Sequence, residues 1–142
     1  FVPSKQRYEA YKKYAERVEG AKSEIIRIGS IISDKKGTET AENNDNVIAD
    51  PSDSIYNLRA LGLMANSFLA SENTGVSNQL MLARWYINEM YLRIGDIKFA
   101  LYNGNSAEAD KSYGCLKKAM NSYLSLMNRV VTNKVGDQFG YL

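Results

Sequence analysis

The chain has 142 residues, a formal net charge of +2, 44% hydrophobic residues, one cysteine and no histidine. This length and composition fit one globular domain, residues 1–142, that needs no disulfide. The absence of histidine excludes Ser-His and Cys-His nucleophiles and histidine-ligated haem or di-iron sites, and the small excess of positive charge disfavours a nucleic-acid binder. No apolar run is long enough to span a membrane. We therefore expect a protein that is not an enzyme, with no catalytic residues, metal or cofactor. Its start at Phe1, without a signal-like segment, is typical of a processed, mature protein.

The first predicted helix covers residues 4–33. Its apolar residues recur at steps of three and four, which places them on one buried face: Tyr11, Tyr14, Val18, Ala21, Ile25, Ile28 and Ile32. The first half of this helix is basic and rich in tyrosine, with Lys5, Arg7, Tyr8, Lys12, Lys13 and Arg17. We interpret these residues as a docking surface for an acidic protein partner. The alternatives are a solvated face without a partner and a site for single-stranded nucleic acid, which the intervening glutamates disfavour.

A long polar connection follows at residues 34–51. Asp45 and Asp50 lie among asparagines, as in calcium-binding loops, but their spacing matches no such loop and the required glycine is missing. Connections of this length in compact domains are usually functional or mobile. Asp45 and Asp50 are therefore candidate partner contacts, and the alternative is a polar crossover without a function of its own.

The second predicted helix covers residues 52–71, with Ser52 or Asp53 as its cap. The third covers residues 77–103, with Ser77 as its cap. The apolar residues of the third helix again recur at steps of three and four, as a core stripe does: Leu80, Ala83, Ile87, Met90, Ile94, Ile97 and Leu101.

The fourth predicted helix covers residues 106–133 and returns antiparallel to the third, because only a tight turn separates them. Gly104 suits the left-handed conformation that ends a helix, and Asn105 or Ser106 can cap the helix that follows. One long and two short connections between four helices predict an all-α fold, an antiparallel up-down four-helix bundle with a long first connection.

Two features of the predicted bundle lack an assigned partner. The third helix is apolar over more than one stripe, because Met81, Trp85 and Leu92 lie off the main one. Trp85 is therefore a candidate partner contact, and the alternative is a position in the core or under a loop. The C-terminal tail, residues 134–142, ends in apolar side chains that either pack on the bundle or anchor a neighbour, so Tyr141 is a further candidate.

Two patches of the sequence resemble a known family. Residues 90–97, MYLRIGDI, resemble the Tyr-Leu-Arg followed by Asp and an aliphatic residue in the third helix of the PsbQ family. Residues 107–114, AEADKSYG, are similar to the Glu-Ala-Glu-Lys-x-Tyr-Gly at the start of that family's last helix, and Asn121 and Leu124 fall where the family carries the same residues. The chain shows no proline-rich N-terminal arm of the plant kind, so the resemblance is to an algal PsbQ.

This resemblance implies a four-helix extrinsic subunit of photosystem II in the chloroplast thylakoid lumen, peripheral to the membrane. Such a subunit would dock on the lumenal side of the photosystem II core and beside the other extrinsic subunits. It would stabilise the oxygen-evolving complex and help it to retain calcium and chloride, without catalysing a reaction and without binding nucleic acid.

The residues alone leave two other classes open. One is an exported ligand-binding or sensory bundle that holds a small molecule between its helices, lined by Trp85 and tyrosines, which predicts an internal pocket. The other is a self-assembling filament or capsid subunit whose copies pack through the third helix.

Overall fold

The structure is a computed structural model, and it describes residues 3–35, 48–71 and 75–142. Within these ranges the α-helices are α1 (Ser4–Lys35), α2 (Leu58–Leu69), α3 (Asn78–Tyr102) and α4 (Ser106–Asn128). A short 3₁₀ helix, Ser54–Tyr56, precedes α2. The described residues form no β-strand, and the predicted all-α fold is confirmed.

The four helices pack in a ring around one core. Both α1 and α3 contact α2 and α4, and the contact between α3 and α4 is the most extensive. Residues at the predicted core spacing are fully buried, among them Val18 and Ile28 in α1, Met90 in α3 and Met120 in α4. The spacing of apolar residues therefore predicts the inner faces correctly, and the fold is the expected up-down four-helix bundle.

The turn between α3 and α4 has the predicted chemistry. Gly104 has a φ of 70°, a left-handed conformation that glycine adopts without a steric clash at Cβ. The side chain of Asn105 accepts a hydrogen bond from the backbone N–H of Glu108 at 3.1 Å and so caps α4. Ser77 caps α3 in the same way, by accepting from the N–H of Leu80 at 3.1 Å.

The second helix begins later than the predicted range of residues 52–71. Asp53 caps the 3₁₀ helix and not α2, because its carboxylate accepts a hydrogen bond from the N–H of Ile55 at 2.9 Å. Asn57 then adopts a left-handed conformation with a φ of 54°. A right-handed helix cannot continue through such a residue, and asparagine is one of the few residue types that tolerates it. The predicted helix is therefore interrupted at Asn57.

The fourth helix ends at Asn128 and not at the predicted residue 133. Val130 and Val131 continue the apolar pattern because both are buried, but they lie beyond the helix, Val130 in a turn. The N–H groups of both valines bond to the carbonyl of Met127, which closes the last turn. The buried stretch therefore extends beyond the end of the helix. The spacing of apolar residues indicates where burial ends, but not where the helix ends.

Two buried tyrosines join parts of the bundle. Tyr123 in α4 is fully buried, and its hydroxyl donates to the backbone carbonyl of Leu61 in α2 at 2.7 Å. The hydroxyl of Tyr56 donates to the carbonyl of Ala49 at 2.7 Å. Burial disfavours the phenolate and so raises the pKa of both side chains, and with the nearby carboxylate of Glu24 it raises the pKa of Tyr56 to about 12.

We expect the free energy of unfolding to fall as the pH rises above 10. Below about pH 10 both phenols are protonated in the folded and unfolded chain, so their contribution is constant. Above it they ionise in the unfolded chain first, and each buried phenol then lowers the free energy of unfolding by about 1.4 kcal/mol per pH unit until its own pKa is reached. Urea unfolding between about pH 9 and 12 measures this slope.

Two variants separate the contribution of the buried phenols to this slope from that of other groups that titrate in the same pH range. The double variant Tyr56→Phe/Tyr123→Phe should lose stability less steeply with pH than the wild type. Tyr102→Phe removes an exposed phenol and should follow the wild type. Equal slopes for all three proteins would contradict the assignment.

Candidate docking surfaces

The N-terminal half of α1 presents most of the residues that the sequence predicts for docking. The exposed ones are Lys5, Tyr8, Lys12, Lys13 and Arg17. The ammonium group of Lys12 lies 5.2 Å from the centroid of the Tyr8 ring, and that of Lys13 lies 5.3 Å from the centroid of the Tyr14 ring. These cation–π contacts hold two positive charges close to the helix surface.

Three of these lysines line one groove beside α1. Lys5, Lys12 and Lys13 face it, and Ser67 of α2 forms part of the opposite wall. The carboxylate of Glu9 also lines the groove, so three cationic groups share it with one anionic group. The groove opens to solvent and has the charge to receive an acidic segment of a partner.

Arg7 differs from the other predicted docking residues, because it faces the end of α4. Its guanidinium group is partly buried and donates to the backbone carbonyl of Val130 and to the hydroxyl of Ser4, the latter at 3.1 Å. Helical spacing explains the difference: Arg7 lies three residues before the buried Ala10, whereas Lys12 lies on the outer side. We therefore assign Arg7 a structural role.

We expect Arg7→Ala to lower the free energy of unfolding by about 1–2 kcal/mol, because the variant removes a charged donor from the carbonyl of Val130. Arg17→Ala, at an exposed position of the same helix, is the matched control and should change it by less than about 0.5 kcal/mol. Urea unfolding at pH 7 compares the two. Equal stability of both variants would argue against the structural role.

The C-terminal tail returns along α4 and is held there by two asparagines of that helix. Asn128 donates to the carbonyl of Phe139 at 2.9 Å and accepts from its N–H at 2.7 Å. Asn121 makes the same pair of bonds with Leu142, at 3.2 and 2.8 Å. The distance from Asn121 to Asn128 along α4 matches the distance from Phe139 to Leu142 along the tail. Seven helical residues rise about 10.5 Å, and three extended residues span about 10 Å. The tail therefore runs antiparallel to α4 as an extended segment.

The tail also closes the contact between α1 and α4. Phe139 is buried and stacks on Tyr11 of α1, with ring centroids 5.6 Å apart. The hydroxyl of Tyr11 accepts a hydrogen bond from the N–H of Asp137 at 3.2 Å. Of the two alternatives for the tail, the structure has it packed on its own bundle. Tyr141 stays exposed, with its hydroxyl 3.4 Å from the amide of Asn128, and remains a candidate contact.

We expect Asn128→Ala to lower the free energy of unfolding by about 2–4 kcal/mol, because it leaves two buried backbone groups of Phe139 without partners. Asn121→Ala is the matched control: it removes the same two bonds at a half-buried site and should have a smaller effect, about 1 kcal/mol. Urea unfolding measures both losses, and hydrogen exchange at the N–H of Phe139 reports release of the tail. Equal losses in the two variants would contradict the role assigned to burial.

A second apolar face lies on the outside of α3. Trp85 is 56% exposed, and its ring meets that of Tyr86 edge-on with centroids 5.7 Å apart. Phe99 and Tyr102 are also exposed on this helix, and the sequence analysis did not single them out. The signal was present, because Phe99 lies seven residues after Leu92, which lies seven after Trp85. Trp85 faces outward, so it does not line an internal ligand pocket.

The end of the first connection is attached to α3. The carboxylate of Asp50 pairs with the ammonium of Lys98 at 2.6 Å. Pro51 lies against Gly95, where an added Cβ would be 3.6 Å from its Cγ. Asp50, a predicted partner contact, therefore has an ion pair within the chain and an exposed side chain. Asp45, the other predicted contact in this connection, lies outside the described residues.

The patches that resemble PsbQ lie on the two arms of the α3–α4 hairpin. In the first, Arg93 pairs with Glu89 at 3.4 Å and with Asp96 at 2.9 Å, so the three form an ion-pair ladder along α3. In the region of the second, Leu124 is fully buried and Asn121 binds the tail. Arg93, Asn121 and Leu124 thus make contacts within the bundle, whereas Tyr91 and Leu92 of the first patch are exposed.

Within the described ranges, no group of three or more His, Cys, Asp or Glu residues is placed to hold a metal ion. None of the helices in the part of the chain that the structure describes is long and apolar enough to cross a membrane. No protein-family model matches the chain, and comparisons with curated proteins and with solved structures find no match. A function must therefore be argued from the surfaces and from the resemblance.

Proposed function

We propose that this protein is a non-enzymatic extrinsic subunit that docks on the lumenal side of photosystem II. There it would stabilise the oxygen-evolving complex and slow the exchange of calcium and chloride with the lumen. The observation that carries the proposal is the resemblance of residues 90–97 and 107–114 to PsbQ. The up-down four-helix bundle supports it, because this is the architecture that the resemblance implies.

The exposed face of α1 is the surface that we assign to docking. Its ammonium groups project from a helix that is rigid at its base, since Ala10, Tyr14 and Val18 are buried against the rest of the bundle. Opposite charges on two such surfaces steer encounter and fix orientation more than they add affinity. A partner with an acidic surface fits this face.

This assignment makes docking sensitive to salt. The lysines of the α1 groove are exposed, and charges exposed to solvent are screened over a Debye length of about 10 Å at 0.1 M ionic strength. A concentrated salt wash should therefore release the protein from photosystem II membranes. Returning to low salt should allow it to bind again, because the bundle has its own core and does not need the partner to fold.

We expect Lys12→Glu/Lys13→Glu to weaken rebinding to salt-washed photosystem II membranes by roughly 10- to 100-fold, since each reversal replaces an attraction by a repulsion worth about 1 kcal/mol. Binding isotherms at low salt measure the affinity. Oxygen evolution at limiting calcium and chloride measures the consequence, and the wild type should raise it more than the variant.

The control is Lys111→Glu/Lys118→Glu, which makes the same change in net charge at exposed positions of α4. It should rebind nearly as well as the wild type. An equal loss in both variants would mean that net charge and not the α1 face decides binding. Failure of the wild type to bind these membranes at any salt concentration would refute the proposed function.

A further inference from the structure

The outer side of α3 carries a heptad pattern of its own. A first series, Trp85, Leu92 and Phe99, is spaced by seven residues. A second series with the same spacing begins four residues before Trp85 and contains Met81, Asn88, Gly95 and Tyr102. Alternating steps of four and three along a helix are the pattern by which two helices pack side by side in a coiled coil. We call these seven residues the outer seam.

Six of the seven residues of the outer seam are exposed, and the seventh, Gly95, is half-buried against Pro51. Phe99 is 72% exposed and Tyr102 is 80% exposed, and Met81, Trp85 and Leu92 lie between 44% and 59%. On the opposite side of the same helix, Ala83, Met90 and Ile97 are completely buried in the bundle. The helix is thus apolar on both sides, which is usual for a helix with partners on both sides.

The two edges of the outer seam carry opposite charges. Glu89 and Asp96 lie on one edge, because each directly follows a residue of the second series. Arg84 and Lys98 lie on the other edge, because each directly precedes a residue of the first series, Trp85 or Phe99. Contacts within the chain hold these side chains beside the seam: Arg84 donates to Asn66 at 2.9 Å, and Lys98 pairs with Asp50. Arg93 pairs with both Glu89 and Asp96, so these two carboxylates and one guanidinium leave a net charge of −1 on the first border. On the other border Asp50 offsets one of the two cations and leaves a net charge of +1.

This distribution of charge distinguishes the possible orientations of a second copy. When two identical seams pack in parallel, the basic edge of each meets the acidic edge of the other, and Arg84 faces Glu89 of the second copy across the interface. When they pack antiparallel, acidic meets acidic and basic meets basic. The charges thus favour a parallel pair related by a two-fold axis.

We infer that the outer seam binds the outer seam of a second copy of this chain, with the two α3 helices parallel. The exposed area is sufficient: an aromatic side chain presents about 150–250 Å², so Trp85, Phe99 and Tyr102 alone offer on the order of 400 Å² per copy. With Met81 and Leu92 the pair buries on the order of 1,200 Å², the lower end of standard interfaces, and dimerises in the micromolar range. This inference does not depend on the proposed function.

Sedimentation equilibrium of the full chain between about 1 and 500 µM tests the inference. The wild type should shift from monomer to dimer over this range. Leu92→Asp places a charge at the centre of the seam and should weaken dimerisation by at least about tenfold. Ile26→Asp makes the same kind of change at an exposed apolar position of α1 and should dimerise like the wild type. A wild type that stays monomeric, or a dimer that Leu92→Asp leaves intact, would overturn the inference.

Cysteine cross-linking tests the orientation. In a Cys115→Ser background, Met81→Cys should form a disulfide-linked dimer on mild oxidation, because parallel packing brings the two copies of residue 81 together within the reach of a disulfide. Antiparallel packing about the centre of the seam would separate them by about 30 Å. Ile26→Cys should not cross-link. Absence of the Met81→Cys dimer from a protein that dimerises would overturn the parallel arrangement.

Discussion

The packing of the inner face of α3 against α4 is the contact on which the rest of the structure depends. A tight turn at Gly104 and Asn105 forces the two helices to run antiparallel, and their apolar stripes then meet along their length. Burial of each large aliphatic side chain contributes about 1.5–3 kcal/mol. This hairpin supplies the surface on which α1 and α2 close, and the hydroxyl of Tyr123 fixes α2 by binding the carbonyl of Leu61. The outer faces of α1 and α3 are rigid because their inner faces are held in this core.

The features that local chemistry determines could be predicted from the sequence. Apolar residues at steps of three and four identify the inner faces because an α-helix has 3.6 residues per turn. Ser77 and Asn105 could be recognised as caps because a cap acts on the N–H two or three residues ahead. The features that escaped prediction depend on distant contacts. Arg7 binds a carbonyl that lies 123 residues further along the chain, and Asn128 binds a tail that must first fold back. In the sequence both resemble any polar residue of a helix surface.

The outer side of α3 illustrates why a candidate site is only partly predictable. A ring of four helices buries one side of each helix, so a helix that is apolar on two sides retains an exposed face. The sequence shows both stripes and predicts that the main one, with Leu80, Met90 and Ile97, enters the core. It does not show what covers the second stripe, because the tight turn after Tyr102 turns only the inner stripe toward α4. Phe99 and Tyr102 are then left outside.

The two surfaces lie on helices at opposite corners of the ring, since α1 and α3 both pack between α2 and α4. Their outward faces therefore point in opposite directions, and one molecule can use both at once. The forces also differ. In the proposed contacts the α1 face would act through exposed charges, which salt screens, whereas the outer seam would act mainly through apolar area, which salt does not weaken. Raising the ionic strength should therefore separate the protein from an acidic partner while leaving two copies of the chain together. Charge at the seam contributes orientation more than affinity, because its edges stay wet. The two proposed contacts are thus independent, because charged and apolar surfaces lie on different helices.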